Sequence, residues 1–250
     1  MKAKRNLVLA LAAALLPFVG SSASATLIGT TGPLPTGITR TSGYYTGNGG
    51  EFTIGGSGLV LSGYVAGASG TSLNSGAFET FCLETDEYTF GNAGSYLVND
   101  KALLGGYNTN DGDVLSKGAA WLYAQFASKT WEAGTPVYNY TPGSDRNASA
   151  GLLQNAIWYL ENENTGSSNA FVTAAETEFG SLANARLDNA AGGYGVYVLN
   201  TFSKTDLTGY AQDQLYYNPT GLKTPDGGTT LMLLGVALGG ISFVRRYVKV

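Results

Sequence analysis

Apolar segments at both ends of this 250-residue chain confine a globular fold to the residues between them. At the amino end, a basic cluster precedes a short apolar run at 7–19, and Ala23 and Ala25 then form a small-x-small cleavage pattern. This order is typical of a secretory signal peptide, whereas the run is too short to cross a bilayer comfortably as an anchor. We therefore predict a signal peptide at residues 1–25 and export of the remaining chain.

The carboxyl end combines three features in a fixed order. They are Pro225, Asp226, Gly227 and Gly228, then a weakly polar to apolar stretch at 229–244, and finally Arg245 and Arg246. As a helix the stretch would be about 24 Å long, which spans the hydrocarbon core of a bilayer only with local thinning. The arginines would mark its cytoplasmic end. We predict a single transmembrane helix at 229–244, within a linker and tail at 219–250.

This tail resembles the PEP-CTERM sorting signals of Gram-negative bacteria, in a variant with Asp-Gly-Gly after the proline. The resemblance implies translocation, transient retention in the inner membrane through the C-terminal helix, and processing by an exosortase-type transpeptidase. Such signals are common in organisms that build exopolysaccharide or a biofilm matrix, so the implied location is the cell surface or the extracellular matrix. Asp226 stands where the name-giving pattern has glutamate, which leaves the position of cleavage open.

Residues 26–218 are long enough for one extracellular domain with a sizeable core. Between residues 26 and 224 the chain carries 8 Lys and Arg against 17 Asp and Glu, a net charge near −9. Nucleic acid is therefore not an expected partner, because phosphate binding needs clustered cations. The chain has no histidine and one cysteine, which excludes His-dependent catalysis, His-ligated metals and thiolate clusters. We expect no metal and no cofactor.

Hydrophobic periodicity predicts an α+β domain, with strands towards both ends and about three helices in the middle. The predicted strands are 51–54, 59–64 and 195–202, and the predicted helices are 115–126, 153–160 and 171–182. The glycine- and tyrosine-rich composition favours a β-rich, sandwich or barrel-like arrangement of the strands.

The only cysteine, Cys82, lies in the stretch Phe81-Cys82-Leu83-Glu84. The alternation around it predicts a strand, in which a small apolar side chain can simply be buried in the core. In an exported chain, one leftover cysteine also indicates intermolecular pairing or a reactive thiol. The residues alone leave both interpretations open.

A second stretch bears on that question, Leu153-Gln154-Asn155-Ala156-Ile157-Trp158. We place Gln154 near the start of a helix, beside its apolar stripe. A glutamine amide needs hydrogen-bond partners if it is buried there. The alternative is an exposed glutamine on the helix surface.

Together the two stretches resemble the Cys-Gln thioester domains of bacterial surface proteins. Those domains carry an aromatic-Cys-aliphatic-acidic motif, which residues 81–84 match. They also carry a Thr-Gln-x-Ala-Ile-Trp motif, which Gln154 to Trp158 match, with Leu153 in place of the threonine. The separation of 72 residues between Cys82 and Gln154 is short for the better-known members.

The resemblance implies a γ-glutamyl thioester between Cys82 and Gln154, formed by thiolate attack on the side-chain amide with loss of ammonia. An incoming amine or hydroxyl, on a surface protein or an extracellular polysaccharide, would open it and stay attached to Gln154. Such a protein acts once, as an adhesin rather than an enzyme. Phe81 and Trp158 are expected to exclude water. Glu84 is expected to accept a proton if burial raises its pKa, the alternative being a solvated strand carboxylate.

Two other functions stay open on the sequence. One is a non-covalent structural or glycan-binding matrix protein, with Cys82 in the core. The other is a hydrolase with paired carboxylates such as Glu84 and Glu161, although no spacing favours it.

Overall fold

The structure, a computed structural model, describes eight stretches of the chain. They are residues 38–42, 48–55, 78–88, 92–93, 95–103, 112–163, 166–203 and 209–219. The predicted signal peptide, the predicted strand 59–64 and the C-terminal tail from residue 220 onwards lie outside the described residues. Within the described stretches, no helix combines the length and the apolar character that a membrane span requires.

The described strands form three antiparallel sheets. They are β1 (Ile38–Ser42), β2 (Phe52–Gly55), β3 (Phe78–Thr80), β4 (Asn92–Ala93), β5 (Ser95–Asn99), β6 (Lys101–Ala102), β7 (Asp113–Val114), β8 (Val196–Phe202) and β9 (Tyr210–Tyr217). The sheet orders are β3-β2-β1-β4, β5-β8-β9 and β6-β7. Because these strands pair into separate sheets rather than one continuous sheet, they close no barrel, and the predicted barrel-like arrangement is wrong for the described residues.

Four α-helices occupy the middle of the described chain, which confirms the mixed helix and sheet class. They are α1 (Lys117–Ala127), α2 (Ser144–Leu160), α3 (Ala170–Phe179) and α4 (Leu182–Ala185). The stretch 171–182 was expected to be one helix, but Gly180 ends α3 in the left-handed region at φ 79°. Ser181 then caps α4 by accepting a hydrogen bond from the backbone of Asn184. A glycine in this conformation is a common helix stop.

Apolar side chains fill two main clusters. The larger one lies among the helices, where Leu122, Phe126 and Ile157 pack with Phe81 and Leu83. The second joins strands of the four-stranded and three-stranded sheets through Ile54, Phe78, Val98, Tyr197, Leu199 and Tyr216. Burial of each large side chain stabilises the fold by about 1.5–3 kcal/mol, so these clusters hold the sheets and helices together.

The stretch after β3 carries the chain from one sheet to the next. Leu83 N–H donates to Asp213 O at 3.0 Å, Leu215 N–H donates to Phe81 O at 3.2 Å, and Cys82 pairs with Gln214 in a single bridge. Cys82 was expected inside a strand, but β3 ends at Thr80. The physical reason is that the backbone leaves β2 here to bond to β9, which brings the cysteine to the border between the two sheets.

A buried ion pair ties the beginning of β2 to the first turn of α2. The guanidinium of Arg146 contacts both carboxylate oxygens of Glu51, with Nε donating to Oε2 at 2.9 Å. Tyr138 Oη donates to the same Oε2 at 2.5 Å, and Arg146 Nη1 donates to Tyr140 O at 2.7 Å. Both charged side chains are buried. The pair thereby fixes the residues next to Gly50 against α2.

We expect Arg146→Met to lower the free energy of unfolding by about 3–5 kcal/mol, because the Glu51 carboxylate would stay buried without its cation. Arg146→Lys should lose less, since it keeps the charge but not the forked contact. Urea denaturation at neutral pH measures the change. Glu132→Gln, at an exposed position, serves as the control and should change stability by less than about 1 kcal/mol. A loss in Arg146→Met no larger than the control's would contradict the role of the pair.

Candidate functional site

The Gln154 amide makes three hydrogen bonds, two of which join it to the backbone of Cys82 and one to the backbone of Gly50. Gln154 Oε1 accepts from the backbone N–H groups of Cys82 at 3.0 Å and Gly50 at 2.9 Å. Its Nε2 donates to Cys82 O at 2.8 Å. Gln154 is fully buried, so the exposed-surface alternative is wrong. It lies in the third turn of α2 rather than near its start, because the helix already begins at Ser144.

The two hydrogen bonds to Gln154 Oε1 bear on the reactivity of the amide carbonyl. Both donors to Oε1 are backbone N–H groups, and they withdraw electrons from the amide carbonyl. Paired backbone donors of this kind stabilise the negative charge that develops on a carbonyl oxygen when a nucleophile attacks. The amide carbon of Gln154 is thereby oriented and polarised beside the only cysteine of the chain.

The thiol lies in an apolar setting. Cys82 is 2 % exposed and forms a cluster with Phe52 and Trp158. Gln214 Nε2 lies 3.6 Å from Sγ and donates to it. An apolar cover with one polar donor suits a buried core cysteine and also a protected reactive sulfur.

A small cavity of about 140 Å³ is lined in part by Cys82. Its lining residues are Asn48, Gly49, Cys82, Thr85, Glu87, Tyr88, Trp158 and Gln212. Because Tyr88 is 77 % exposed, part of this lining lies at the protein surface.

The predicted aromatic residues divide between two places. Trp158 lines the cavity and packs on Cys82. Phe81 points instead into the helical core, with its ring edge-to-face against Phe126 at 5.0 Å between centroids. Of the two residues predicted to exclude water, Trp158 is therefore the one beside the thiol, and Phe81 supports the stretch from the core.

Glu84 lies among other carboxyl groups. Burial, together with the neighbouring Glu163 and Glu161, raises the pKa of Glu84 to about 10. Burial also raises the pKa of Glu161 to about 8, against the hydrogen bonds from the hydroxyl and backbone of Ser116. Glu84 is not among the residues that line the cavity. At neutral pH a carboxyl with this pKa carries its proton and is a poor proton acceptor, so the role predicted for Glu84 stays a prediction.

Sequence reasoning missed several residues of the site, of which Gly49, Glu87 and Gln214 are the most informative. Gln214 reaches Cys82 from β9, 132 residues away, and no motif links the two. Glu87 follows the matched motif by three residues, but only the turn after Cys82 brings it to the cavity. Gly49 lies in a glycine cluster that we treated as composition. Among the described residues, no group of carboxylates and cysteine has the arrangement of a metal site.

Gly49 makes a testable contribution to this geometry. Its φ is 81°, and a Cβ there would lie 2.5 Å from Trp158 Cη2 and 2.9 Å from Gln154 Cγ. We expect Gly49→Ala to destabilise the protein by about 1–3 kcal/mol more than Gly180→Ala, because overpacking adds to the backbone strain. Gly180 is a matched control, since its φ is 79° and a Cβ there meets nothing within 4 Å. Urea denaturation measures both, and equal losses would contradict the close packing at Gly49.

The pKa of Glu84 predicts a pH-dependent stability. The pKa of Glu84 is about 10 in the folded protein and about 4.3 in an unfolded chain. The contribution of Glu84 to the free energy of unfolding is therefore fully present below pH 4.3, and it is lost as the pH rises towards 10. Glu84→Gln should therefore match the wild type in Tm at pH 5 and exceed it by several degrees at pH 9. Glu178→Gln, an exposed change on α3, is the control. A Tm difference that does not grow with pH would contradict the assignment.

The comparisons with known proteins concern only the end of the chain. The VPDSG-CTERM motif matches residues 225–247, and its name contains the Pro-Asp pair of Pro225 and Asp226. No curated protein and no solved structure matches the chain. The matched motif supports a PEP-CTERM-like sorting signal, and it suggests an exported protein that is targeted to the cell surface, consistent with processing by an exosortase-like enzyme.

Proposed function

We propose that this exported protein forms an internal thioester between Cys82 and Gln154 and uses it once, to attach itself covalently to an amine or hydroxyl on a ligand. The observation that carries the proposal is the contact of the buried Gln154 amide with the backbone of Cys82 on both its oxygen and its nitrogen. The resemblance of the two motifs to thioester domains supports the same pairing.

Thioester formation needs proximity, an activated electrophile and a leaving group. The Cys82 thiolate attacks the amide carbon, the C–S bond forms, and the C–N bond to the amide nitrogen breaks as ammonia leaves. Proximity supplies a large part of the rate, because the two groups are held together before reaction. The N–H groups of Gly50 and Cys82 stabilise the oxygen of the tetrahedral intermediate.

The surroundings of the sulfur favour storage of the activated acyl group. Phe52 and Trp158 cover Cys82, which limits hydrolysis, and the small cavity admits a slender nucleophile. Attack by an amine forms an amide with Gln154 and releases the Cys82 thiol. The reaction consumes the thioester, so the protein acts as an adhesin and not as a catalyst with turnover.

The ligand classes that fit this chemistry are an extracellular polysaccharide, through a hydroxyl, and a surface protein, through an amine. The C-terminal sorting motif supports delivery to the surface, where such ligands are present. We extend this to a role in a biofilm matrix, in which covalent attachment would resist dilution and flow.

A second candidate function is a non-covalent structural or glycan-binding matrix protein. It is favoured by the 2 % exposure of Cys82 and its packing against Phe52 and Trp158. In that case the Gln154 amide is a structural link between α2 and the stretch after β3.

Intact-mass measurement of the exported protein, purified without reductant, separates the two candidates. The thioester predicts a mass one ammonia below that of the sequence. Methylamine should convert this deficit into a mass one methylene group above that of the sequence, because it forms the N-methylamide of Gln154. Cys82→Ala and Gln154→Ala should lack the deficit, whereas Gln125→Ala, on α1 away from the cavity, should keep it. A wild-type mass equal to that of the sequence, with a thiol that reacts only after denaturation, would overturn the thioester and leave the second candidate.

A further inference from the structure

Resting on the proposed thioester, we propose that Glu87 is the residue that accepts and returns protons at Cys82 and Gln154, and that Glu84 is not. Glu87 would act both when the thioester forms and when a nucleophile opens it. The assignment concerns a residue outside both matched motifs.

Glu87 lies close to the site. Glu87 and Cys82 line the same small cavity, together with Trp158 and Tyr88. An incoming nucleophile that enters by this cavity brings its proton to the space that Glu87 lines. Glu84 lies instead in a buried cluster of carboxyl groups, with Glu163 and Glu161.

The Glu87 carboxylate is held in place and still reaches solvent. Its Oε2 accepts a hydrogen bond from Asp213 N–H at 2.8 Å, across 126 residues of sequence. The residue is half-buried, so it can exchange protons with water through the cavity. A fixed and partly accessible carboxylate is the arrangement that general acid–base catalysis requires.

The surroundings of Glu87 bring its pKa close to neutral pH. Burial raises the pKa of Glu87 to about 7; the Asp213 backbone N–H opposes the rise and the Glu163 carboxylate adds to it. The Asp213 carboxyl also faces Glu87, and burial followed by Glu87 itself holds the pKa of Asp213 well above its ordinary range. Tyr88 is the further ionisable residue on the cavity wall. A group that titrates near neutral pH can both take and give a proton there.

The proton balance closes in both steps. During formation, Glu87 accepts the thiol proton of Cys82, and it then gives a proton to the departing amide nitrogen, which leaves as ammonia. During opening, the amine nitrogen bonds to the acyl carbon of Gln154 and the C–S bond breaks. Glu87 takes the proton that the amine loses and returns it to the Cys82 thiolate. No oxidant or additional reactant is needed.

Opening of the thioester by hydroxylamine tests the assignment on the full exported protein. Hydroxylamine is chosen because its nitrogen is largely unprotonated at neutral pH. The rate of hydroxamate formation at Gln154 is followed by intact mass between pH 5 and pH 9. We expect Glu87→Gln to be slower by roughly 10²-fold at pH 8. The ratio of wild-type to variant rate should rise with pH through about 7 and then level off, as the carboxylate forms.

Two matched variants complete the experiment. Glu84→Gln represents the competing assignment, and Asp86→Asn removes an exposed carboxylate beside Glu87 in the sequence. Both should follow the wild-type pH profile. If Glu87→Gln shows the wild-type profile, or if Glu84→Gln shows the loss instead, the proposal is overturned.

Failure of the proposed function gives a different result. If the wild type itself lacks the ammonia deficit, no thioester exists, and both the thioester and the role of Glu87 are overturned together. If Glu87→Gln folds with the wild-type urea midpoint but accumulates the deficit more slowly, the formation step depends on Glu87, as proposed. Glu87→Asp keeps an ionisable group and should recover part of the lost rate, whereas a purely structural role predicts no such recovery of the pH dependence.

Discussion

The buried amide of Gln154 is the interaction on which the arrangement of the site depends. A glutamine amide enclosed in an apolar core destabilises a protein by about 1–3 kcal/mol unless its polar atoms are bonded. Here the partners are backbone groups of Gly50 and Cys82, which belong to two different segments. These hydrogen bonds therefore fix α2, the residues before β2 and the stretch after β3 in position relative to one another. The Glu51–Arg146 ion pair, one residue from Gly50, also fixes the residues before β2 against α2.

The charge balance of the interior shapes the chemistry available there. Among the buried residues that the structure describes, one guanidinium, that of Arg146, accompanies six carboxyl groups. These are Glu51, Glu79, Glu84, Glu161, Glu163 and Asp213. Burial raises the pKa of Glu79 to about 8, with Glu51 adding to the rise. Burial keeps several of these carboxyls protonated at neutral pH, and it likewise opposes the build-up of charge on sulfur or on a carbonyl oxygen. The N–H donors around Gln154 and Cys82 therefore matter more here than they would in water.

Local patterns in the sequence predicted α1, β2 and β8, because hydrophobic periodicity depends on neighbouring residues. They predicted only the second half of α2, and they joined α3 and α4 into one helix. The proximity of Cys82 and Gln154 followed from two motifs and is present in the structure, although the thioester itself stays a prediction. The residues around Cys82 and Gln154 could not be predicted from the sequence, for a physical reason. The pKa of Glu84 is raised by burial and by Glu163, a residue 79 positions away. The Gln214 side chain that donates to Cys82 comes from the last described strand. Such contacts are set by packing between distant segments, which no local spacing encodes.

Export and burial together explain how one cysteine can persist in this chain. An oxidising environment pairs accessible thiols, but Cys82 lies under Phe52 and Trp158 and communicates with solvent through a cavity of about 140 Å³. A second protein of this size cannot bring its own buried sulfur into such a cavity, so disulfide-linked dimers are disfavoured by shape. Under the proposed thioester, the same small cavity would favour a slender terminal group carrying a nucleophile. Protection of the sulfur and choice of ligand would then follow from one feature, the small cavity that Cys82 and Trp158 line.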